Sequence, residues 1–347
     1  MSRAATKERT VDKAMDNELV IGVDLGTSRS AISASNGKKK WVESYVGWPK
    51  DFISRKVVGK PVLFGEDALD HRLSVDLFRP LERGVIKEGE RDREAVRALI
   101  HHLIDLVEPR PNCRVRAVIG VPAESFRSNK LAIKDAVSEY VSSSMVVSEP
   151  FAVAYGLNML DNTLIIDIGA GTVDFCIMHG SVPDEEDQRT IATAGDWIDQ
   201  QLLSFVRERH SSADINLNMV RRFKEEYSFV GEPPAPVEVV IPVNGKPTPH
   251  DITAEMRNAC ESILPGMIET TLEMIARFDP EYQDKIRSNI VLAGGGSLIR
   301  GLREHLEKRL AEYGTAKVSC VGDPLYSGAA GAMSLASDMP EEYWEAV

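Results

Sequence analysis

The sequence predicts an α/β protein made of two related halves, each a mixed sheet with helices packed against it. Three observations carry this. A strand–glycine turn–strand segment occurs twice, segments with helical spacing of apolar residues lie between and beyond the two copies, and a late strand runs into a glycine triplet.

The first copy is Leu19–Ser35 and the second Thr163–His179. Each is a β-branched apolar run, then Asp-x-Gly with small or hydroxyl residues, then another apolar run, which reads as two strands joined by a tight turn. Asp24 and Asp167 stand 143 residues apart, a spacing that fits duplication of a domain rather than a short-period repeat. Arg91–Val107 carries Val96, Leu99, Ile100, Leu103, Leu106 and Val107 on one helical face, leaving His101 and His102 toward solvent. Further helices are expected over Ser128–Val141 and after Ser148-Glu149-Pro150, where proline suits the first helical position. Ala254–Phe278 is helical but broken or kinked at Pro265-Gly266. Leu298–Tyr313 places leucines at 298, 302, 306 and 310 and stops at Gly314. Val237–Val243 and Lys246–Ile252, joined by Asn244-Gly245, form an edge hairpin with prolines.

The 347 residues hold 43% apolar and 27% charged side chains, enough for full cores in two domains. Acidic residues outnumber basic ones 53 to 41, a net charge of −12, which argues against a nucleic-acid footprint or an anionic-membrane anchor. Apolar runs such as Asn162–Ile168 are far shorter than the roughly 18 residues needed to span a bilayer. Cys113, Cys176, Cys260 and Cys320 are widely spaced and read as buried free thiols of a reducing compartment. Residues 1–17 are polar and are expected to form a flexible tail.

Asp24-Leu25-Gly26-Thr27-Ser28 is the first chemical candidate. A glycine bend exposes backbone N–H groups to a phosphate, hydroxyls add donors, and aspartate is a hard oxygen ligand for Mg²⁺. Alone, it reads first as an ordinary hairpin turn. The second turn, Asp167-Ile168-Gly169-Ala170-Gly171-Thr172, shifts the balance, because two such hairpins could hold one triphosphate and its metal. A dinucleotide turn is excluded there: Asp174 stands where the third glycine belongs, and Phe175–Met178 continues as a strand. No P-loop sequence occurs. Gly294-Gly295-Gly296-Ser297, between a strand and a helix, would admit a base or phosphate close to the backbone, or simply connect the two elements.

In this order the three motifs resemble the actin, Hsp70 and sugar-kinase superfamily. Arg79–Ile86, Val121-Pro122-Ala123, Ser148–Ala152, Gly195-Asp196-Trp197-Ile198-Asp199 and Ile299–Leu302 narrow the resemblance to bacterial actins of the MreB type. Trp48–Asp51 and Gly322–Gly328 point within them to the magnetosome-associated branch. The likeness covers about Leu19 to Met333 and leaves no room for a chaperone's peptide-binding domain.

The resemblance implies a two-lobed actin-like fold with duplicated mixed-sheet domains around a nucleotide cleft. Domain I would be 18–160 with 323–347 packing back on it; domain II would be 161–322, with a small subdomain at about 201–284. ATP/ADP and Mg²⁺ are the implied cofactors. Asp24 and Asp167 would hold the metal, largely through water; Gly26, Thr27, Ser28 and Gly169–Thr172 would hold phosphates. Lys224 and Glu225 would flank the adenosine, and Gly294–Ser297 would complete its pocket. Glu149 would orient or deprotonate the attacking water, although locally it caps a helix equally well. Ala170 departs from the glycine that many relatives carry. The implied function is a cytoplasmic ATPase filament that positions magnetosomes, its partners being further copies of itself and an acidic adaptor. No nucleic acid and no membrane insertion are expected. Arg207–His210 and Arg221-Arg222 are the candidate basic patches for that adaptor. The alternatives are a non-polymerising ATP switch, a plasmid-segregation actin and a small-molecule kinase of the same scaffold.

Overall fold

The computed structural model describes residues 17–123, 126–233 and 235–346. The expected tail at 1–17 lies, but for Asn17, outside them. The chain forms two compact units: one reaches to Asn158 and resumes at Leu325, and the other is Met159–Pro324.

In the first unit, β1 (Glu18–Leu25), β2 (Arg29–Ala34) and β3 (Lys39–Glu43) form an antiparallel meander. On the other side of β1 lie β9 (Arg114–Val121) and β10 (Ser143–Ser148), both parallel to it, and β18 (Glu345–Ala346) closes the edge antiparallel to β10. A smaller sheet of β4 (Val46–Pro49), β5 (Leu63–Phe64) and β6 (Val75–Phe78) carries α1 (Phe52–Val58) and α2 (Gly65–Asp70). A two-stranded piece, β7 (Leu81–Glu82) and β8 (Val85–Ile86), precedes α3 (Glu90–Leu106).

Alternation along β1 sends Ile21, Val23 and Leu25 into a core with Leu99 and Leu103 of α3, as the helical spacing required. The opposite face meets α12 (Ser327–Asp338) through glycine: a Cβ on Gly22 would lie 2.2 Å from the Ala329 carbonyl oxygen. The same helix touches α5 (Glu149–Gly156) so closely that a Cβ on Gly331 would sit 1.9 Å from the Ala152 carbonyl oxygen.

The second unit repeats the plan. β11 (Thr163–Ile168), β12 (Val173–Met178) and β13 (Gln188–Ile191) are an antiparallel meander, with β16 (Ile290–Ala293) and β17 (Val318–Cys320) parallel on the far side of β11. Strand order is thus 10-9-1-2-3 in one sheet, apart from the edge strand β18, and 17-16-11-12-13 in the other. The core gathers Leu164 and Phe175 from the sheet, Leu202 from α6 (Gly195–Arg209), Val220 from α7 (Leu217–Tyr227) and Met256 from α8 (Thr253–Glu261). α9 (Leu264–Ile275) and α10 (Pro280–Arg287) complete the run to β16.

Several expectations change in detail. The Ser128–Val141 helix is α4, Phe126–Val137, because Ser143 must already start β10. Ala254–Phe278 resolves into α8 and α9, with Pro265 in the first turn of the second. Leu298–Tyr313 is not one helix. A 3₁₀ turn at Gly295–Leu298 leaves Leu298 67% exposed, and α11 (Leu302–Leu310) starts only after Gly301 takes φ +76°. The proline hairpin, β14 (Glu238–Val243) and β15 (Lys246–Asp251), is a two-stranded sheet of its own, turned by Asn244 and Gly245 at φ +51° and +75°. His102 is not simply solvated but stacks on Phe64 at 4.0 Å, and burial lowers its pKa. All four cysteines are free, but only Cys176 and Cys260 are buried; Cys320 is exposed. Among the described residues, no helix is long and apolar enough to cross a membrane.

Candidate nucleotide site

The first half-site lies at the carboxyl ends of three parallel strands, the end at which open α/β sheets bind ligands. Asp24 of β1 is in register with Gly120 of β9, and Gly120 with Val147 of β10. Two residues beyond Val147, Glu149 opens α5 with Pro150 behind it. Gly120 makes room for it: a Cβ there would lie 3.2 Å from Glu149 Cγ. Glycine likewise lies against Asp24, since a Cβ on Gly328 of α12 would sit 2.6 Å from its Oδ2. Protein packed around the Asp24 carboxyl pushes its pKa up to about 7. A divalent cation beside it would act the other way.

The turn after Asp24 is held from outside. Arg79 Nε donates to the Thr27 carbonyl at 2.9 Å, and the Gly84 amide donates to the Thr27 hydroxyl at 3.0 Å. That hydroxyl keeps its own proton to donate. The Ser44 hydroxyl donates to the Gly26 carbonyl at 2.6 Å, and the Ser44 amide donates to the Ser28 carbonyl at 2.8 Å. Gly26 is obligatory, because a Cβ would fall 2.2 Å from the Arg29 carbonyl oxygen.

The second half-site collects Asp167, the 169–172 turn, the glycine triplet and Lys224 in one unit. Asp167 is 8% exposed and pairs across β16 with Ala293, which delivers Gly294 to its side. Gly294 has φ +71°, and a Cβ would reach 2.3 Å from Asp167 Oδ1. Gly296 is pressed against Ile168, whereas nothing lies within 4 Å of a Cβ on Gly295. Ser297, 8% exposed, closes the turn through its hydroxyl, which donates to the Gly294 carbonyl at 2.7 Å. Gly169 donates to the Thr172 carbonyl at 2.9 Å, which fixes the bend containing Ala170 and Gly171. Glu225 is exposed on α7, while Lys224 beside it is turned inward.

Each candidate basic segment has one arginine already paired. Arg209 pairs with Glu255 at 2.8 Å and Arg221 with Asp199 at 3.1 Å, so buried carboxylates already meet both charges. Sequence reasoning passed over the supporting residues Arg79, Gly84, Gly120 and Gly328. Three of them, Arg79, Gly84 and Gly328, sit in stretches that carry the family resemblance, but no local pattern says what any of them touches.

A meander joined to parallel strands, present twice, with an aspartate and a glycine turn ending the first strand of each copy, defines the actin-like class. The MreB/Mbl protein profile matches residues 18–342, and the chain belongs to that family. It is 43% identical over 329 residues to the actin-like protein MamK of Paramagnetospirillum magneticum, covering 94% of this chain and 95% of that one. A solved MamK double helical filament superposes with a TM-score of 0.91 at 43% identity, over 93% of this chain and all of that one. A non-polymerising MamK mutant bound to AMPPNP is 44% identical over 93% of this chain and 99% of its own, with a TM-score of 0.72.

Proposed function

We propose that this protein is an ATP-dependent, filament-forming actin that organises magnetosomes in the cytoplasm and turns its filaments over by hydrolysis. The observation that carries the reading is the pair of half-sites: two buried-edge aspartates, each beside a glycine that a side chain would drive into its carboxylate. Such glycines bring backbone against each carboxylate with no side chain between, and a pair of aspartates is a donor set suited to a hydrated hard cation. Support for assembly comes from the MamK filament, which matches this chain over 93% of its length. Support for the nucleotide comes from the AMPPNP-bound relative.

In this reading the ligand is Mg·ATP. The bound Mg²⁺ supplies charge neutralisation of the phosphate oxygens. Asp24 and Asp167 would hold the metal, largely through water, while backbone amides and hydroxyls of Gly26, Thr27, Ser28 and Gly169–Thr172 would bind phosphate oxygens. Glu149 holds the attacking water and accepts its proton at a carboxylate oxygen. Gly294–Ser297 lie along the adenosine side, where Gly295 leaves the backbone open. Glu225 belongs to the same side. The domain boundaries proposed are 18–160 with 323–347 and 161–322. Successive copies meet head to tail through a heterologous contact that does not close, which yields a filament. An acidic adaptor on the organelle is the further partner.

Sedimentation with Mg·ATP, with AMPPNP and without nucleotide, alongside phosphate release, tests the reading. Pelleting with both nucleotides, followed by dissolution with ATP alone, is expected. Nucleotide binding without pelleting at any salt or protein concentration would overturn the filament. Glu149→Ala should retain nucleotide binding and slow phosphate release by about 10²–10⁴-fold; full release would remove Glu149 from the chemistry.

A further inference from the structure

We infer that Asp199 is the positioning residue of the second phosphate turn, and that Lys224 serves that turn rather than the adenosine side. This rests on the nucleotide reading above and makes it more specific.

A turn that points its N–H groups at a phosphate has to turn carbonyls the other way, and those carbonyls need donors. The start of α6 provides them. The Gly195 amide donates to the Gly169 carbonyl at 3.1 Å, and the Asp196 amide donates to the Ala170 carbonyl at 2.7 Å. These amides are among those a helix N-terminus leaves without an internal partner, so the end of α6 is spent on the turn.

What fixes α6 there is a buried charge. Asp199, one turn into the helix, is 0% exposed. Its Oδ1 lies 2.7 Å from Lys224 Nζ, and its Oδ2 accepts from Arg221 Nε at 3.1 Å. Arg221 and Lys224 are three apart on α7 and so share a face. The same Lys224 Nζ donates to the Gly195 carbonyl at 2.8 Å. One ammonium therefore joins the buried carboxylate to the peptide whose amide neighbours hold the turn. Space is equally constrained: a Cβ on Gly195 would come 3.1 Å from Ala170 Cα and 3.4 Å from Lys224 Nζ.

A buried carboxylate with two cations is a poor device for stability alone, because desolvation offsets much of the attraction. Its use is geometric. The carboxylate meets both cations in one arrangement, and that arrangement sets where Gly169 and Ala170 lie.

Binding of Mg·AMPPNP and of adenosine, each by calorimetry, to the full chain and two variants tests the inference. Asp199→Asn keeps the shape and removes the charge. Gly195→Ala leaves every charge in place and crowds the turn directly. Both should weaken Mg·AMPPNP by about 10- to 100-fold and leave adenosine unchanged. Equal loss of adenosine would mean general damage or an adenosine contact, and would overturn the proposal. So would unchanged Mg·AMPPNP affinity in both variants while the parent binds. A parent that binds neither ligand would sink the nucleotide reading itself. Should Asp199→Asn fail to fold, the same two outcomes are read from Gly195→Ala alone.

Discussion

The two glycine turns look alike in sequence and are supported by different means. The turn at 26–28 is held by single hydrogen bonds from separate elements: a guanidinium on Thr27, an amide on its hydroxyl, a serine hydroxyl on Gly26. The turn at 169–172 is held by the end of a helix, and that helix by a buried carboxylate between two cations. Duplication preserved the bend, which the backbone itself demands, and left each copy to find its own brace.

If this contrast is right, the two braces differ in how much each single change costs. Asp199→Ala removes the buried carboxylate between Arg221 and Lys224, whose side chains are each 14% exposed, and should cost about 3–5 kcal/mol. Urea unfolding followed by tryptophan fluorescence reads it, since one of the four tryptophans, Trp197, lies in α6, donating to Ser262 Oγ at 3.0 Å. A loss no larger than that of a surface pair would erase the distinction between the two turns. Thr27→Val removes the acceptor of a buried amide and should cost about 1–3 kcal/mol, measured in the same urea series. Smallest is Ser44→Ala, which deletes the bonds to Gly26 and to Ser30. About 0.5–1.5 kcal/mol is expected. A reversed order of these two, with Ser44→Ala the costlier, would mean that Ser44 and not the 79–84 segment is the main brace of the first turn.

The turns were legible because local chemistry dictates them. Gly26 has a carbonyl 2.2 Å from where a Cβ would be, and Asn244-Gly245 adopts the positive φ angles that few other pairs tolerate. The helical stripe of α3 was legible for the same reason, since spacing alone selects its buried face. What escaped was tertiary. Nothing local to Lys224 points to the phosphate turn until Asp199, 25 positions earlier, is placed beside it. Arg209 and Arg221 read as members of two basic segments until Glu255 and Asp199 are found buried against them. Leu298 has the right spacing for a helix, but the glycine triplet prefers a 3₁₀ turn that carries it out of register.

The glycine-mediated seat of α12 on β1 has a consequence for how the chain comes into being. Synthesis proceeds from the amino end, and domains commonly fold in that order. The second unit is one continuous stretch and has all its strands once Pro324 has emerged. The first unit, though begun earlier, lacks the cover for one face of β1 until Ser327–Asp338 has left the ribosome. On a translating ribosome the later half would therefore finish first, and the earlier half would wait for the last helix to close it.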